Sequence, residues 1–360
     1  MVTRKQRERR RQIEEQRLGV RTSEQLLIEW LPDAPPTHMI CTSLGRGQLA
    51  ATAAERLSET TVDCLFLDLF LAEQARNANA ERSLSNLQFR CEVDFPEEPC
   101  QLAALPFTTG GEAELTWNLM QSAFQRLEQG GQLAVAVDNP NDTWLRERMR
   151  NLFKKTTTIP HDLGVVYVGR KSEPLKKVKQ FDEEFAFRDA GRLYKVITQP
   201  SVFSHRRLDL GARALMEAMN LNSGDRVLEL GCGAGAVCFA AAGRNLEGTV
   251  HGMDSNPRAV ACTLEGARRN DLPNITAELT ADARVDQPGS YDLVLANPPY
   301  FSNFRIAELF VNSAAEALKR GGRLQIVTKH PAWFLERLPQ QFRKVRSTDS
   351  RRYKIISGVR

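Results

Sequence analysis

The chain has 360 residues, of which 42% are apolar and 26% charged, and a formal net charge of +5 at pH 7. That length predicts two domains and that composition an ordinary soluble globular protein. No run of eighteen apolar residues is present, which argues against a membrane-spanning helix, and the charged N-terminus has no apolar stretch behind it as a secretion signal would.

Seven cysteines occur without a C-x-x-C pair, so reduced thiols and a cytoplasmic location are expected, with no disulfide framework and no metal site. The positive charge is concentrated at the start. Residues 1–21 hold eight Lys or Arg against three Glu, and outside them the formal charges balance. Residues 1–22 therefore read as a basic arm, either a charged helix or disordered chain, suited to contact with a phosphate backbone. Basic clusters recur from Arg170 to Lys179 and from Arg343 to Lys354.

After the arm, an amphipathic helix is predicted over Glu24–Leu31 and a strand over Met39–Cys41. The turn Leu44-Gly45-Arg46-Gly47 leads into an Ala-rich helix over Gln48–Leu57. Val62–Leu69 and Leu102–Leu105 read as strands. A helix over Glu112–Glu128 stops at Gly130-Gly131, and the strand Gln132–Val137 follows. A polar connector covers 171–195. Beyond it come a helix (Leu208–Met219), a buried strand (Arg226–Leu230), a glycine turn (231–235) and a helix from Ala236. Next are a strand (Thr249–Met253), a helix starting at Pro257, a strand (Ile275–Leu279) and a strand (Tyr291–Ala296). A helix over Ile306–Lys319, a strand over Arg323–Thr328 and an antiparallel pair over Phe342–Ile356 complete the chain.

The two halves overlay as a degenerate repeat. Met39-Ile40 matches Val227-Leu228, Gly45 and Gly47 match Gly233 and Gly235, and Gly130-Gly131 matches Gly321-Gly322. Asp68 is taken to end a strand as Asp254 does, and Leu105-Pro106-Phe107-Thr108 to stand where the second half has Asn297-Pro298-Pro299-Tyr300. Ser43 replaces Gly231. The expected architecture is therefore two α/β domains of Rossmann-like, mostly parallel sheets. One covers 23–170 and has lost its polar site residues. The other covers 196–360, ends in an antiparallel pair and keeps them.

A strand followed by Gly231-x-Gly233-x-Gly235 and a helix brings backbone N–H groups to a ligand with no side chains in the way. Asp254, at the end of the next strand, can accept hydrogen bonds from ribose hydroxyls. These features specify an adenosine-type cofactor without separating a dinucleotide from S-adenosylmethionine. Two features together separate them, Glu229 and the strand exit at Asn297: a carboxylate just before the loop repels a pyrophosphate but suits a ligand with an ammonium and a sulfonium. Asn297-Pro298-Pro299-Tyr300 leaves the fourth strand as a stiff exit, because neither proline can donate to the ladder. It presents an amide, a carbonyl without an obligatory partner and an aromatic ring. These are parts that can hold a flat molecule bearing an exocyclic amine.

Val227–Ala236, Asp254, Asp282 and Asn297-Pro298-Pro299-Tyr300 resemble a class I S-adenosylmethionine-dependent methyltransferase that methylates amines. With Val202-Phe203-Ser204 and Leu208-Asp209-Leu210-Gly211 included, the chain is similar to the bacterial ribosomal RNA guanine-N2 methyltransferases, in which a methyltransferase-like domain without a site precedes an active one. The resemblance implies S-adenosylmethionine as cofactor and ribosomal RNA as partner. It places the amine on the Asn297 oxygen and the Pro298 carbonyl, and a stacked base on Tyr300. Gly231, Gly233 and Gly235 would line the methionine part, with Glu229 beside it, Asp254 would hold the ribose and Asp282 the adenine. Phe203 and Asp209 would lie near the cofactor. His205, beside two arginines, makes no metal cluster. Amino methylation of adenine N6 or of a protein glutamine stays open as an alternative, as does a non-catalytic RNA-binding assembly factor. The nucleotide, the RNA and the oligomeric state are not legible.

Overall fold

The computed structural model describes residues 19–175, 177–299 and 303–360. The expected arm, apart from its last four residues, lies outside these, as do Lys176 and Tyr300. The chain divides into two compact units, Met1–Phe181 and Asp182–Arg360.

The first unit holds strands β1 (His38–Thr42), β2 (Thr61–Phe66), β3 (Leu87–Cys91), β4 (Cys100–Phe107), β5 (Leu127–Val137), β6 (Thr156–His161) and β7 (Gly164–Arg170). Their order in the sheet is β3-β2-β1-β4-β5-β7-β6. The first five are parallel, and β7 runs antiparallel between β5 and β6. Helices α1 (Thr22–Trp30), α2 (Gln48–Arg56), α3 (Leu69–Asn79), α4 (Ala113–Arg126) and α5 (Trp144–Leu152) accompany them. The sheet is buried on both faces, as parallel sheets are: Met39, Ile40, Ala103 and Leu105 have no exposed surface.

The second unit repeats this order with β10 (Arg226–Leu230), β11 (Thr249–Asp254), β12 (Ile275–Leu279), β13 (Tyr291–Ala296), β14 (Leu318–Thr328), β15 (Arg343–Ser350) and β16 (Tyr353–Val359). They lie as β12-β11-β10-β13-β14-β16-β15, again with an antiparallel final pair. Its helices are α6 (Leu210–Ala218), α7 (Ala236–Arg244), α8 (Pro257–Arg269), α9 (Arg305–Ala317) and α10 (Pro331–Arg337). Val227, Leu228 and Leu230 of β10 are fully buried, each worth about 1.5–3 kcal/mol of transfer free energy. Both units are Rossmann-like, as expected.

The registers sharpen the repeat and correct it in two places. Met39 pairs with Val62 and Val227 with Val250, so Phe66 stands where Asp254 stands. Asp68 is the counterpart of Asn256 instead, and both are helix N-caps: Asp68 accepts from the Leu71 N–H and Asn256 from the Arg258 N–H. A carboxylate two residues past the strand end reads in sequence like one at its end, and only the ladder separates them. Likewise Leu102 pairs with Gln132 and Leu293 with Arg323, which puts Pro106, not Leu105, at the place of Asn297.

The glycine pairs are not plain helix stops. β5 and β14 begin before them and loop out, with Gly130 and Gly321 both at φ 83° and the register skipping across the pair. The polar stretch read as a connector contains most of a hairpin, β8 (Glu183–Asp189) with β9 (Arg192–Thr198). Its turn residues Ala190 and Gly191 both have positive φ, the geometry that matches the twist of a two-residue hairpin. The hairpin holds because Phe187 and Tyr194 stack at 5.2 Å and are buried, while Arg188 and Leu193 face out. A Cβ on Gly243 would lie 1.9 Å from the Tyr194 hydroxyl, so α7 carries glycine there.

Candidate active site

In the second unit the strand order reverses between β10 and β13, where open α/β sheets leave a crevice at their carboxyl ends. Leu230 lies opposite Ala296 in the register. The residues that follow them, Gly231 and Asn297, leave adjacent strands about 4.8 Å apart. The sheet thus brings the glycine loop and the Asn-Pro-Pro exit together.

Gly231, Gly233 and Gly235 have φ of 76°, 54° and 83°, the left-handed region that favours glycine. Their surroundings differ. A Cβ on Gly235 would lie 2.7 Å from the Phe239 ring, so that glycine is required by packing. On Gly233 it would meet nothing within 4 Å. The loop therefore leaves open space at Gly233 and none at Gly235. Asp254 ties the loop to the next helix: one oxygen accepts from the Gly233 N–H and the other from the Asn256 N–H, both at 2.9 Å.

Glu229 is buried, and its Oε2 has no hydrogen-bond partner. Burial pushes its carboxyl up to about 8, the N–H and thiol of Cys238 oppose that shift, and Asp254 adds to it. A buried carboxyl with an unsatisfied oxygen beside an open glycine cradle fits a ligand bearing an ammonium group.

Asn297 is half-buried, and its Nδ2 donates to Asp209 Oδ2 at 2.9 Å. That same oxygen accepts from the Ala212 N–H at 2.8 Å and caps α6. Pro298 is buried. Asp282 is exposed and closes its own turn by accepting from the Arg284 N–H at 3.1 Å. Phe203 is 69% exposed, on a loop in which Ser201, Ser204 and Arg206 all have positive φ. Asn256 holds that loop through the Ser201 carbonyl and hydroxyl. The structure thus joins Asn297 with Asp209, and Gly233 with Asp254. Phe203 and Asp282 lie exposed on their own loops. No metal-binding group of side chains is found among the described residues.

An aromatic cluster escapes the sequence reading. Phe304 stacks on Trp333 with centroids 5.0 Å apart and planes 5° apart, and His330 meets it edge-on. Phe304 and Asn303 both have positive φ, which is uncommon for an aromatic residue. These residues lie on the segments that follow β13 and β14. The aromatic-rich run after Pro299 was the signal available.

The equivalent place in the first unit is filled by its own side chains. Ser43 Oγ accepts from the N–H groups of Gly45 and Gly47, and Gln48 Oε1 from that of Arg46. Ser43 donates to the buried Glu24 at 2.6 Å, whose carboxyl is raised by burial. A Cβ on Gly45 would lie 2.6 Å from Gln48 and 3.2 Å from Glu24, where one on Gly233 meets nothing.

Residues 193–357 match the methyltransferase small domain family. The second unit is an S-adenosylmethionine-dependent methyltransferase domain. The chain is 26% identical over 285 residues to ribosomal RNA small subunit methyltransferase C of Shewanella piezotolerans, covering 76% of this chain and 82% of that protein. It is 32% identical over 164 residues to the protein of that name from Shewanella sediminis, which is 44% of this chain and 46% of the relative. Bacillus subtilis YbxB is 28% identical over 154 residues, 42% of this chain and 76% of that protein. Among solved structures, a T. thermophilus 16S rRNA guanine-N2 methyltransferase in complex with AdoMet and guanosine shares the fold. Its TM-score is 0.76 at 21% identity, over 96% of this chain and 93% of that one. The methyltransferase domain keeps its polar residues and an open loop, whereas Ser43, Gln48 and Glu24 fill the matching loop of the first unit.

Proposed function

We propose that the protein transfers a methyl group from S-adenosylmethionine to the exocyclic amine of a base in RNA, guanine N2 of ribosomal RNA. The observation that carries the reading is the pinned carboxamide of Asn297. Its nitrogen is committed to Asp209, so its oxygen is the side left to accept from an amine. The names of the relatives support RNA as the substrate class, and the cytoplasm as the place of work follows from that partner.

When bound, S-adenosylmethionine supplies a methyl group on a sulfonium, which is already electrophilic. The protein's part is to hold and orient the amine. Its lone pair is delocalised into the base, which makes it a weak nucleophile. The Asn297 oxygen and the Pro298 carbonyl accept its two N–H bonds and stabilise the positive charge that grows on nitrogen. A strong base is not needed, because the methylated ammonium loses its proton readily. Tyr300 stacks on a base turned out of its helix. Gly231, Gly233 and Gly235 line the methionine part, Glu229 faces its ammonium, Asp254 holds the ribose, Asp282 the adenine, and Phe203 covers the cofactor side. The basic arm contacts phosphates.

The test is methyl transfer from tritiated S-adenosylmethionine to ribosomal RNA and ribosomal subunits, followed by nucleoside digestion. Label in N2-methylguanosine is expected; label in N6-methyladenosine or in protein overturns the substrate. Asn297→Ala is expected to lower transfer by about 100-fold or more, with cofactor affinity within a few fold. Equal loss of both would make the residue structural. Deleting residues 1–21 is expected to weaken RNA binding at low salt more than at high salt, and an unchanged salt slope removes the arm from phosphate contact.

A further inference from the structure

We propose that Asp209 is the positioning residue that orients the Asn297 carboxamide, turning its oxygen and not its nitrogen toward the substrate amine. The two ends of a carboxamide have nearly the same shape. Packing alone therefore selects poorly between one orientation, which accepts from an amine, and the flipped one, which opposes donor to donor. An ionised carboxylate only accepts. Placed 2.9 Å from Asn297 Nδ2, Asp209 admits one orientation.

Asp209 is itself held. Its backbone is extended at φ −64° and ψ 139°, and its Oδ2 caps α6 through the Ala212 N–H. The amide, 88 residues further along the chain, is thereby tied to the rigid first turn of a helix. Gly211 makes the room. A Cβ there would lie 2.8 Å from Asp209 Oδ2 and 3.2 and 3.3 Å from Asn297 Oδ1 and Nδ2. Leu208-Asp209-Leu210-Gly211 thus supplies both the acceptor and the space into which the amide fits. Its link to a reaction rests on the proposed amine methylation.

The test separates helix capping from amide positioning in the full chain. Asp209→Ser keeps a good N-cap, but its hydroxyl stops short of Asn297. Asp209→Asn offers one carbonyl oxygen that can take both bonds, as Oδ2 does now. In Asp209→Ser, kcat is expected to fall about 10- to 100-fold while the Kd for S-adenosylmethionine stays within about twofold. In Asp209→Asn, kcat should recover to within about threefold of the parent. The Asn297 side-chain amide signals, assigned by their loss in Asn297→Ala, should shift in the Ser variant and return in the Asn variant. An unchanged kcat in Asp209→Ser, cofactor affinity falling as far as kcat, or an Asn variant no better than Ser overturns the assignment. If the parent protein methylates no guanine in RNA, the substrate reading falls, and the amide signals alone decide. Signals that do not move in Asp209→Ser overturn the positioning role.

Discussion

The carboxylate of Asp254 accepts the N–H of Gly233 at 2.9 Å and so fixes the glycine loop from the end of the neighbouring strand. Its other oxygen accepts from Asn256, which caps α8 and holds the Phe203 loop at Ser201. One side chain therefore shapes three walls of the crevice. Asp254→Ala is expected to weaken S-adenosylmethionine binding by about 100-fold or more, since hydrogen bonds to a charged group contribute about 1.5–3 kcal/mol each. Asp254→Asn should lose less, because one oxygen remains. Titration calorimetry checks both, and an Ala variant within threefold of the parent would remove Asp254 from the site.

With Glu229 facing the ligand's ammonium as proposed, cofactor binding is expected to depend on pH. Burial raises its carboxyl to about 8, so at pH 7 the free protein holds it mostly protonated. A bound ammonium favours the ionised form and lowers that value. Binding at pH 7 should therefore release a proton. Affinity should rise as pH approaches 8 and fall above it, where the ligand's own ammonium, an α-amino group titrating at about 8, loses its proton. Stability of the free protein runs the other way. The folded state holds the proton between the ordinary carboxylate value of 4.5 and about 8, so stability falls as pH rises through that window. Calorimetry in buffers of different ionisation enthalpy measures the proton count, and Glu229→Gln should abolish the release.

The glycine loop, Asp254 and Asn297 are legible in sequence because their types are forced locally: positive φ demands glycine, and two prolines demand a strand exit. What is not legible depends on the ladder and on partners distant in sequence. Asp68 and Asp254 look alike until the register shows one capping a helix and the other ending a strand. Asp209 reads as a residue near the cofactor, and only the fold shows its oxygen on an amide 88 residues away. The hairpin β8–β9 was hidden by its charged outward face and by an alanine in its turn.

Gly233 and Gly235 of the loop should fail differently. Gly233→Ala places a methyl in open space at φ 54°, so folding should lose only about 1 kcal/mol of backbone strain. Cofactor affinity should drop by about tenfold or more if the cofactor occupies that space. Gly235→Ala drives a methyl against Phe239 at φ 83°, adding about 1–3 kcal/mol of overpacking to the strain. Its melting temperature should fall several degrees further than that of Gly233→Ala. Thermal melts with and without S-adenosylmethionine separate the two, and equal melting temperatures would contradict this division of roles.

The first unit carries a pH-dependent contact of its own. His38 Nε2 lies 2.9 Å from Asp63, which also accepts from Arg90, and its Nδ1 lies 3.0 Å from the Pro99 carbonyl. The hydrogen bond to Asp63 raises His38 above its ordinary value of 6.5, against the opposing effect of burial. For a group raised on folding, the stabilisation is full below 6.5 and is lost as pH rises through the folded value. Asp63 has the opposite sense. Burial raises its carboxyl, but the hydrogen bonds from His38 and Arg90 more than offset that and leave it lowered. Its contribution is present above the ordinary value of 3.8 and disappears as pH falls through the folded value. The pair should be strongest in mildly acid solution. Replacing His38 with Gln is expected to flatten the fall in unfolding free energy above pH 6.5, and titration of the His38 ring proton by NMR should give a midpoint above 6.5. A midpoint at or below 6.5, or a slope unchanged by the substitution, would show that the contact with Asp63 does not favour the charged ring and that Arg90 alone balances Asp63.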